Sequence, residues 1–444
     1  MIKDLQLSIL QSPNGAEKQI QQTIDQVLEY QAQGGKAYLS LDQNSALAAA
    51  KAADFYRQSG CMLSPIAGLA VSIKDLFDVK GQVTASGSKV LAHQNTATKD
   101  SVVIEKLRKA GAVIFGRTNM SEFAFSGLGL NPHYGTPTYA DHFKRIAGGS
   151  TSGGAVSVAL GHAVAALGSD TGGSLRIPAA FCGLVGFKPS SNRISTEGAF
   201  PLSFSYDTIG TITQSVEDNI ILDEILSDEK FQKKSLQAKQ LKIAITDDYV
   251  LDDAEPEVIE AYHATLKHLK QQGFVFEKVD LSELYQITEI NQAGGLTAAE
   301  AWFIHRNSLD NPEQYVQYDV RVAQRINRGQ QISAADYLTT QAQRKVLIES
   351  ITAKLSGFDA WIYPTVAITP PLLEPLQQDD ALFFKTNALV LRNTTVMNFL
   401  DGCAVSIPCH QPDQLPVGLS IAGLHGQDQH ILNISLLIES LIKA

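Results

Sequence analysis

Residues 146–187 hold two charged side chains, Asp170 and Arg176, where the chain's average of 18% charged residues would place about eight in a stretch of that length. A run so poor in charge is expected to be buried, because charged side chains almost never lose all contact with water unless they are paired. The same run is dense in glycine and serine, which a plain apolar core does not need. It predicts backbone packed closely around a site, with Asp170 and Arg176 as a structural pair or backbone anchors rather than proton carriers.

Strand and helix signals alternate on either side of this run. Ile20, Ile24, Val27 and Leu28 fall at helical spacing on one face, and a second helical pattern covers 46–56. Residues 69–74 read as a short strand, and Asp100 caps a helix over 101–110 that feeds a strand at 112–115. This is βαβ grammar. Ser215 with Asp218 marks a capped helix start, 241–246 a strand, 256–272 a helix closed by Gly273, and 274–279 another strand. Residues 281–355 are mostly helical in composition and 359–363 read as a strand. The stretch 364–378, with four prolines, reads as a loop crossing the surface, and Asp428 as the cap of a helix running to 442. Polar residues 232–240 form a surface connection rather than an interdomain linker.

Composition narrows the function. At 44% apolar over 444 residues the chain is globular rather than disordered. Its formal charge of −10 repels phosphate backbones and anionic membranes, so neither nucleic acid nor membrane is the expected partner. Cys61, Cys182, Cys403 and Cys409 lack zinc-ribbon spacing, and Met1-Ile2-Lys3-Asp4 is no basic, then apolar, leader. A reducing cytoplasm is the expected location, without metal or cofactor. Cys182 reads as a small buried apolar residue.

Three elements carry the chemistry: Ser72-Ile73-Lys74-Asp75, the run Gly148-Gly149-Ser150-Thr151-Ser152-Gly153-Gly154, and the run from Gly168 to Pro178. Neither glycine-rich run is followed by the Lys-Ser/Thr pair of a phosphate loop. Ser174, preceded by Thr171-Gly172-Gly173, falls where successive backbone N–H groups can converge on one point, the arrangement of an oxyanion hole. Each such donor contributes about 2.7–4 kcal/mol to transition-state stabilisation. None of the ten histidines lies in a recognisable Ser-His-Asp setting, so a Ser-Lys mechanism fits better, provided a buried lysine stays neutral.

These motifs resemble those of the amidase signature family of serine hydrolases. The block from Gly148 through Ala179 matches nearly position for position, with Thr151 in place of the usual serine or glycine. The likeness continues in Pro65-Ile66-Ala67-Gly68, in Gly116-Arg117-Thr118-Asn119-Met120-Ser121-Glu122-Phe123, in 181–189 and in Leu415-Pro416-Val417-Gly418-Leu419. It covers nearly the whole chain and is weakest over about 227–355. The resemblance implies an α/β amidase signature fold, a mixed central sheet covered by helices on both faces. It is expected as one domain over 1–444: N-terminal helices to about 60, a catalytic core over about 61–226, a variable, mostly helical region over about 227–355, and a part from 356 that completes the core. It further implies Ser174 as nucleophile, Ser150, after a cis peptide, as bridging serine, and Lys74 as base. The N–H groups of Thr171, Gly172, Gly173 and Ser174 would form the oxyanion hole. Ser152 is weighed equally as a hydrogen-bond partner for Lys74 and as plain turn structure.

Lysine in water titrates at ~10.4, so a base working near neutrality requires burial to lower that value at a cost of roughly 4 kcal/mol. Asp75 would oppose this, and the strand is expected to turn it away from Lys74. The activity implied is hydrolysis of a linear carboxylic amide to acid plus ammonia or amine. The partner is a small-molecule amide, with a homodimer left open. The competing reading is the ammonia-releasing A component of a glutamyl-tRNA amidotransferase, against which stand Ile177 where that protein has Gln, the segment Gly127-Leu128-Gly129-Leu130-Asn131, and Ser191-Asn192-Arg193. A catalytically inactive binding paralogue is the reading of another class, but all three catalytic positions hold competent residues. His133 is weighed as pocket-lining or structural, and Arg321, Arg325 and Arg392 are candidates to meet an acidic substrate.

Overall fold

The computed structural model describes residues 1–139 and 143–443. Its strands are β1 (Tyr38–Ser40), β2 (Ala70–Lys74), β3 (Val113–Thr118), β4 (Ala165–Asp170), β5 (Val185–Lys188), β6 (Thr208–Thr213), β7 (Lys242–Ile245), β8 (Val275–Lys278), β9 (Ala360–Pro364), β10 (Cys403–Pro408) and β11 (Gly418–Gly423). All belong to one 11-stranded sheet in the order β1-β3-β2-β4-β6-β5-β10-β11-β9-β7-β8. Pairing is parallel for β3-β2-β4 and for β9-β7-β8, and antiparallel from β4 through β6, β5, β10 and β11 to β9. The sheet is therefore mixed, as expected.

Side-chain alternation explains why both faces are covered. Val185 and Phe187 of β5, with Leu419 and Ile421 of β11, join one apolar cluster with Val216 and Ile220 of the helix Val216–Ser227 and Ile431 of the helix Asp428–Ile442. Gly186 and Gly418, one position out of phase, lie against Ala179 and Ala180 of the helix Arg176–Cys182 on the opposite face. A Cβ at either glycine would stand 2.6–2.7 Å from those alanine methyls, so that helix is drawn onto the sheet where strands lack side chains.

The expected strands of the chain's first half and middle are present, β3 running on to Thr118. Ser215 caps its helix, its Oγ accepting the Asp218 N–H at 3.1 Å. Four local expectations are corrected. Leu28 is 44% exposed, because the buried stripe of the helix Gly15–Ala32 runs through Ala16, Ile20, Thr23, Ile24 and Val27 and leaves Leu28 at its edge. Asp100 caps nothing: its carboxylate takes the Lys80 N–H at 2.7 Å and Arg108 Nε at 2.9 Å, and Ser101 occupies the cap position. Residues 364–378 are not a surface loop, since 365–370 are buried and Leu373–Gln378 is a helix. Pro370 and Pro371 bring no N–H to satisfy, and Glu255 accepts the Thr369 N–H at 2.8 Å, so this backbone can lie inside. Asp428 is the first residue of its helix, and its carboxylate takes the Ser190 N–H and Oγ at 2.8 and 2.7 Å. No helix among the described residues is long and apolar enough to cross a membrane.

Candidate active site

The strand β2 delivers Lys74, with no exposed surface, to its C-terminal end, where parallel pairing with β4 sets Ile73 opposite Leu167. That register brings Ser169 alongside. Lys74 Nζ lies 2.8 Å from Ser150 Oγ and 2.9 Å from Ser169 Oγ, donating to both. Burial pushes the Lys74 pKa down to about 7, against the opposing pull of the carboxylates of Asp170 and Asp207. Asp75 points elsewhere, as expected: Arg117 Nε donates to its Oδ1 at 2.6 Å and the Gly87 N–H to its Oδ2 at 2.8 Å. Ser152 is not the partner of Lys74. Its Oγ donates to the Asn119 carbonyl at 3.4 Å, and Ser169 has the place offered to it.

Backbone contacts fix the serine-bearing loops to one another. The Gly149–Ser150 peptide is cis. The Gly149 N–H donates to the Gly127 carbonyl at 2.8 Å, and the Thr151 N–H to the Ser174 carbonyl at 3.2 Å. A Cβ at Gly149 would sit 2.6 Å from the Gly129 nitrogen, so only glycine permits this approach.

Asp170 organises the second loop. Its carboxylate accepts the Gly173 and Leu175 N–H groups at 2.8 and 3.2 Å, Arg176 Nη2 and Nε at 2.9 and 3.0 Å, and Asn398 Nδ2 at 2.9 Å. Burial would favour its neutral form, but the Arg176 guanidinium outweighs this with help from Lys188 and Asn398, holding the carboxyl down to about 2. Asp170 and Arg176 thus form the buried pair expected of them. The expected set of four oxyanion donors is reduced, since the Gly173 N–H is spent on Asp170. Gly173 has φ +129°, and a Cβ there would meet Thr394 Oγ1 at 2.1 Å. Among the described residues, the N–H groups of Thr171, Gly172 and Ser174 find no protein acceptor, and all three residues line a cavity of about 900 Å³.

Sequence reasoning missed Ser169 and Asp207. Asp207 Oδ1 accepts Thr171 Oγ1 at 2.5 Å, and its Oδ2 takes the N–H groups of Leu202 and Ser203. Burial raises its carboxyl to about 6, with those bonds and Lys74 opposing. Ser169, next to the flagged Asp170, could have been found by placing it one strand away from Lys74. His133 bonds Glu122 Oε1 at 2.8 Å and is not a cavity residue. Burial pushes the Cys182 thiol up, which leaves it inert. Among the described residues, no group of three or more His, Cys, Asp or Glu is placed to hold a metal ion.

A family model described as Amidase matches residues 20–432. The chain is 32% identical to the 2-amino-5-chloromuconic acid deaminase of Comamonas testosteroni over 91% of its own length and 88% of that protein's. It is 32% identical to the mandelamide hydrolase of Pseudomonas putida, over 91% and 84% of the two chains. The A component of the glutamyl-tRNA(Gln) amidotransferase of Koribacter versatilis is 30% identical, over 92% of this chain and 91% of that one. A solved structure described as an amidase superposes with a TM-score of 0.86 at 30% identity, covering 97% of this chain and 96% of the other. With a buried lysine hydrogen-bonded to Ser150, with Thr171, Gly172 and Ser174 lining one cavity, and with the family model spanning nearly all of the sequence, the chain belongs to the amidase family.

Proposed function

We propose that this chain hydrolyses the C–N bond of a linear carboxylic amide through an acyl-enzyme on Ser174, with Ser150 as proton bridge and Lys74 as base. The observation that carries the reading is Lys74 Nζ, buried and 2.8 Å from Ser150 Oγ, with its pKa down to about 7. Neutral Lys74 draws the Ser150 proton as Ser150 takes that of Ser174, and Ser174 Oγ bonds to the amide carbon. The N–H groups of Thr171, Gly172 and Ser174 receive the developing oxyanion. The proton held by Lys74 returns through Ser150 to the departing nitrogen as the C–N bond breaks. Water then gives a proton through Ser150 to Lys74 as it attacks the Ser174 ester, and that proton returns through Ser150 to Ser174 Oγ as the acyl–oxygen bond breaks and the acid leaves. Ser169, which accepts an N–H of Lys74 at 2.9 Å, turns the lone pair of the neutral amine toward the Ser150 hydroxyl.

The chain is read as one catalytic domain, since strands from its two halves share the sheet, and as a cytoplasmic enzyme whose four cysteines remain thiols. The test is release of ammonia or amine from a panel of small amides by the purified chain without ATP, tRNA or partner protein and with a chelator present. Acyl transfer to hydroxylamine should accompany turnover, and alkyl fluorophosphonate labelling should vanish in Ser174→Ala. Silence across the panel until a partner protein is added, with glutamine then cleaved, would make the chain an amidotransferase component instead.

A further inference from the structure

The antiparallel register of β4 with β6 pairs Asp170 with Thr208, so the next residues outward, Thr171 and Asp207, come opposite each other just past the end of the ladder. There Thr171 Oγ1 donates to Asp207 Oδ1 at 2.5 Å. Thr171 lines the cavity and Asp207 does not, so the carboxylate stands one residue behind the wall.

Two further contacts set the direction of the Thr171 N–H, which finds no acceptor among the described residues. The carbonyl of the Asp170–Thr171 peptide is held by Thr208 Oγ1 at 2.9 Å and by Asn398 Nδ2 at 3.1 Å. In a trans peptide the N–H points opposite to the carbonyl, so it is aimed away from those two donors. The bond from Thr171 Oγ1 to Asp207 then fixes the side-chain torsion of Thr171 and, with it, the backbone that carries this N–H.

Asp207 is itself immobilised. Its Oδ2 accepts the Leu202 and Ser203 N–H groups at 2.9 and 3.1 Å, and Ser203 Oγ donates to Glu300 Oε2 at 2.5 Å. Glu300, on the helix Gly295–Leu309, also accepts the Ser205 N–H at 3.0 Å and Tyr337 Oη at 2.7 Å. Among the described residues the Asp207 carboxylate bonds neutral donors and makes no ion pair. A desolvated carboxylate without a paired cation is costly, and such groups concentrate at functional sites.

We propose that Asp207 is a positioning residue for amide hydrolysis: by gripping the Thr171 hydroxyl it holds the Thr171 N–H on the oxyanion that forms as Ser174 attacks. The proposal rests on the amide-hydrolase reading, with Ser174 as nucleophile. It makes the hydroxyl of Thr171, and not its backbone alone, a requirement for rate. The tetrahedral species carries more charge on oxygen than the bound amide does, so the effect falls on kcat rather than KM.

The experiment compares the wild type with Thr171→Val, Thr171→Ser, Asp207→Asn and the double variant Thr171→Val with Asp207→Asn. The readouts are kcat and KM on whichever amide of the panel the wild type cleaves fastest, and the rate of labelling by an alkyl fluorophosphonate. Rates are taken about two pH units above the Lys74 value of about 7, so that loss of the Asp207 charge does not act through protonation of the base. Thr171→Val should lower kcat about tenfold or more with KM little changed, and labelling should slow by a similar factor. Thr171→Ser should recover most of both. The double variant should be no slower than the slower single one, since each substitution breaks the same bond. Should Asp207→Asn fail to fold, Thr171→Val decides by itself, because it removes the hydroxyl at constant shape and leaves the carboxylate in place. Wild-type kcat in Thr171→Val, or losses that multiply in the double variant, would overturn the proposal while leaving amide hydrolysis standing. A wild type that neither cleaves an amide nor reacts with the fluorophosphonate would remove the hydrolase reading and this role with it.

Discussion

Replacing Lys74 by methionine should stabilise the protein in mild acid and lose that advantage in mild base. A lysine titrating at about 7 in the fold against 10.5 in the unfolded chain is protonated in both states below pH 7, where the native state bears the full cost of a buried charge. That cost is about 5 kcal/mol. Methionine removes it together with the bonds to Ser150 and Ser169, worth about 1 kcal/mol each, so Lys74→Met should gain about 3 kcal/mol at pH 6. Between pH 7 and 10.5 the unfolded chain binds more protons than the native one, and wild-type stability climbs with pH. By pH 9 the remaining penalty is about 2 kcal/mol and the gain is cancelled. Urea unfolding of both proteins at pH 6 and 9 measures the closing of the gap, and the titration of Asp207 is common to both and largely cancels. A gap equal at the two pH values would mean that Lys74 titrates alike folded and unfolded, and would refute the neutral-base argument. The same ionisation should appear in kcat/KM, rising about tenfold per pH unit below 7 and flat above, with Lys74→Met down about 10²–10⁴-fold.

Ser150→Ala should lower kcat less than Ser174→Ala in single-turnover assays, because water can partly replace a proton bridge but not an attacking oxygen. Gly173→Ala places a methyl 2.1 Å from Thr394 Oγ1 at a φ of +129°, so fluorophosphonate labelling of Ser174 should slow by about 10²-fold or more as the oxyanion donors shift. Asp170→Asn leaves the Arg176 guanidinium buried without its counter-charge, and denaturant unfolding should show a loss of about 3–5 kcal/mol. In the wild type, the folded Asp170 carboxyl lies below its unfolded value, so the stability it contributes is complete above pH 4 and is lost as pH falls through about 2.

How much of this was legible before the structure follows from how local each determinant is. The strand at Lys74, the capped helix at Ser215 and the charge-poor run around Ser174 are written in adjacent residues, and all are found in place. Asp170 and Arg176 were legible as a pair because two opposite charges six residues apart, alone in a buried segment, have little else to meet. Asp100 misled because it has a cap residue's chemistry but spends both oxygens on Lys80 and Arg108. The prolines near 370 suggested a surface loop because turn composition reports missing donors, not exposure. Leu28 falls on the expected face by count, yet it lies at the edge of the buried stripe and keeps 44% of its surface exposed.

The cavity wall was the least legible part because widely separated segments build it. Residues 124–126 precede the catalytic loops, 287–298 and 325–328 belong to the weakly matching middle, and 385–398 sit on the helix Asp380–Phe399. No periodicity reveals that Arg325 and Phe125 stack across 200 positions. In sequence, Arg325 and Arg321 are one helical turn apart and equally plausible as solvated cations. Folding separates them: Arg321 finds Asp380, whereas among the described residues Arg325 finds a carbonyl and an aromatic face. The contact of Lys74 with Ser150 is therefore encoded in short blocks whose backbone geometry tolerates little else, whereas the set of cations that lines the cavity is a property of the tertiary fold.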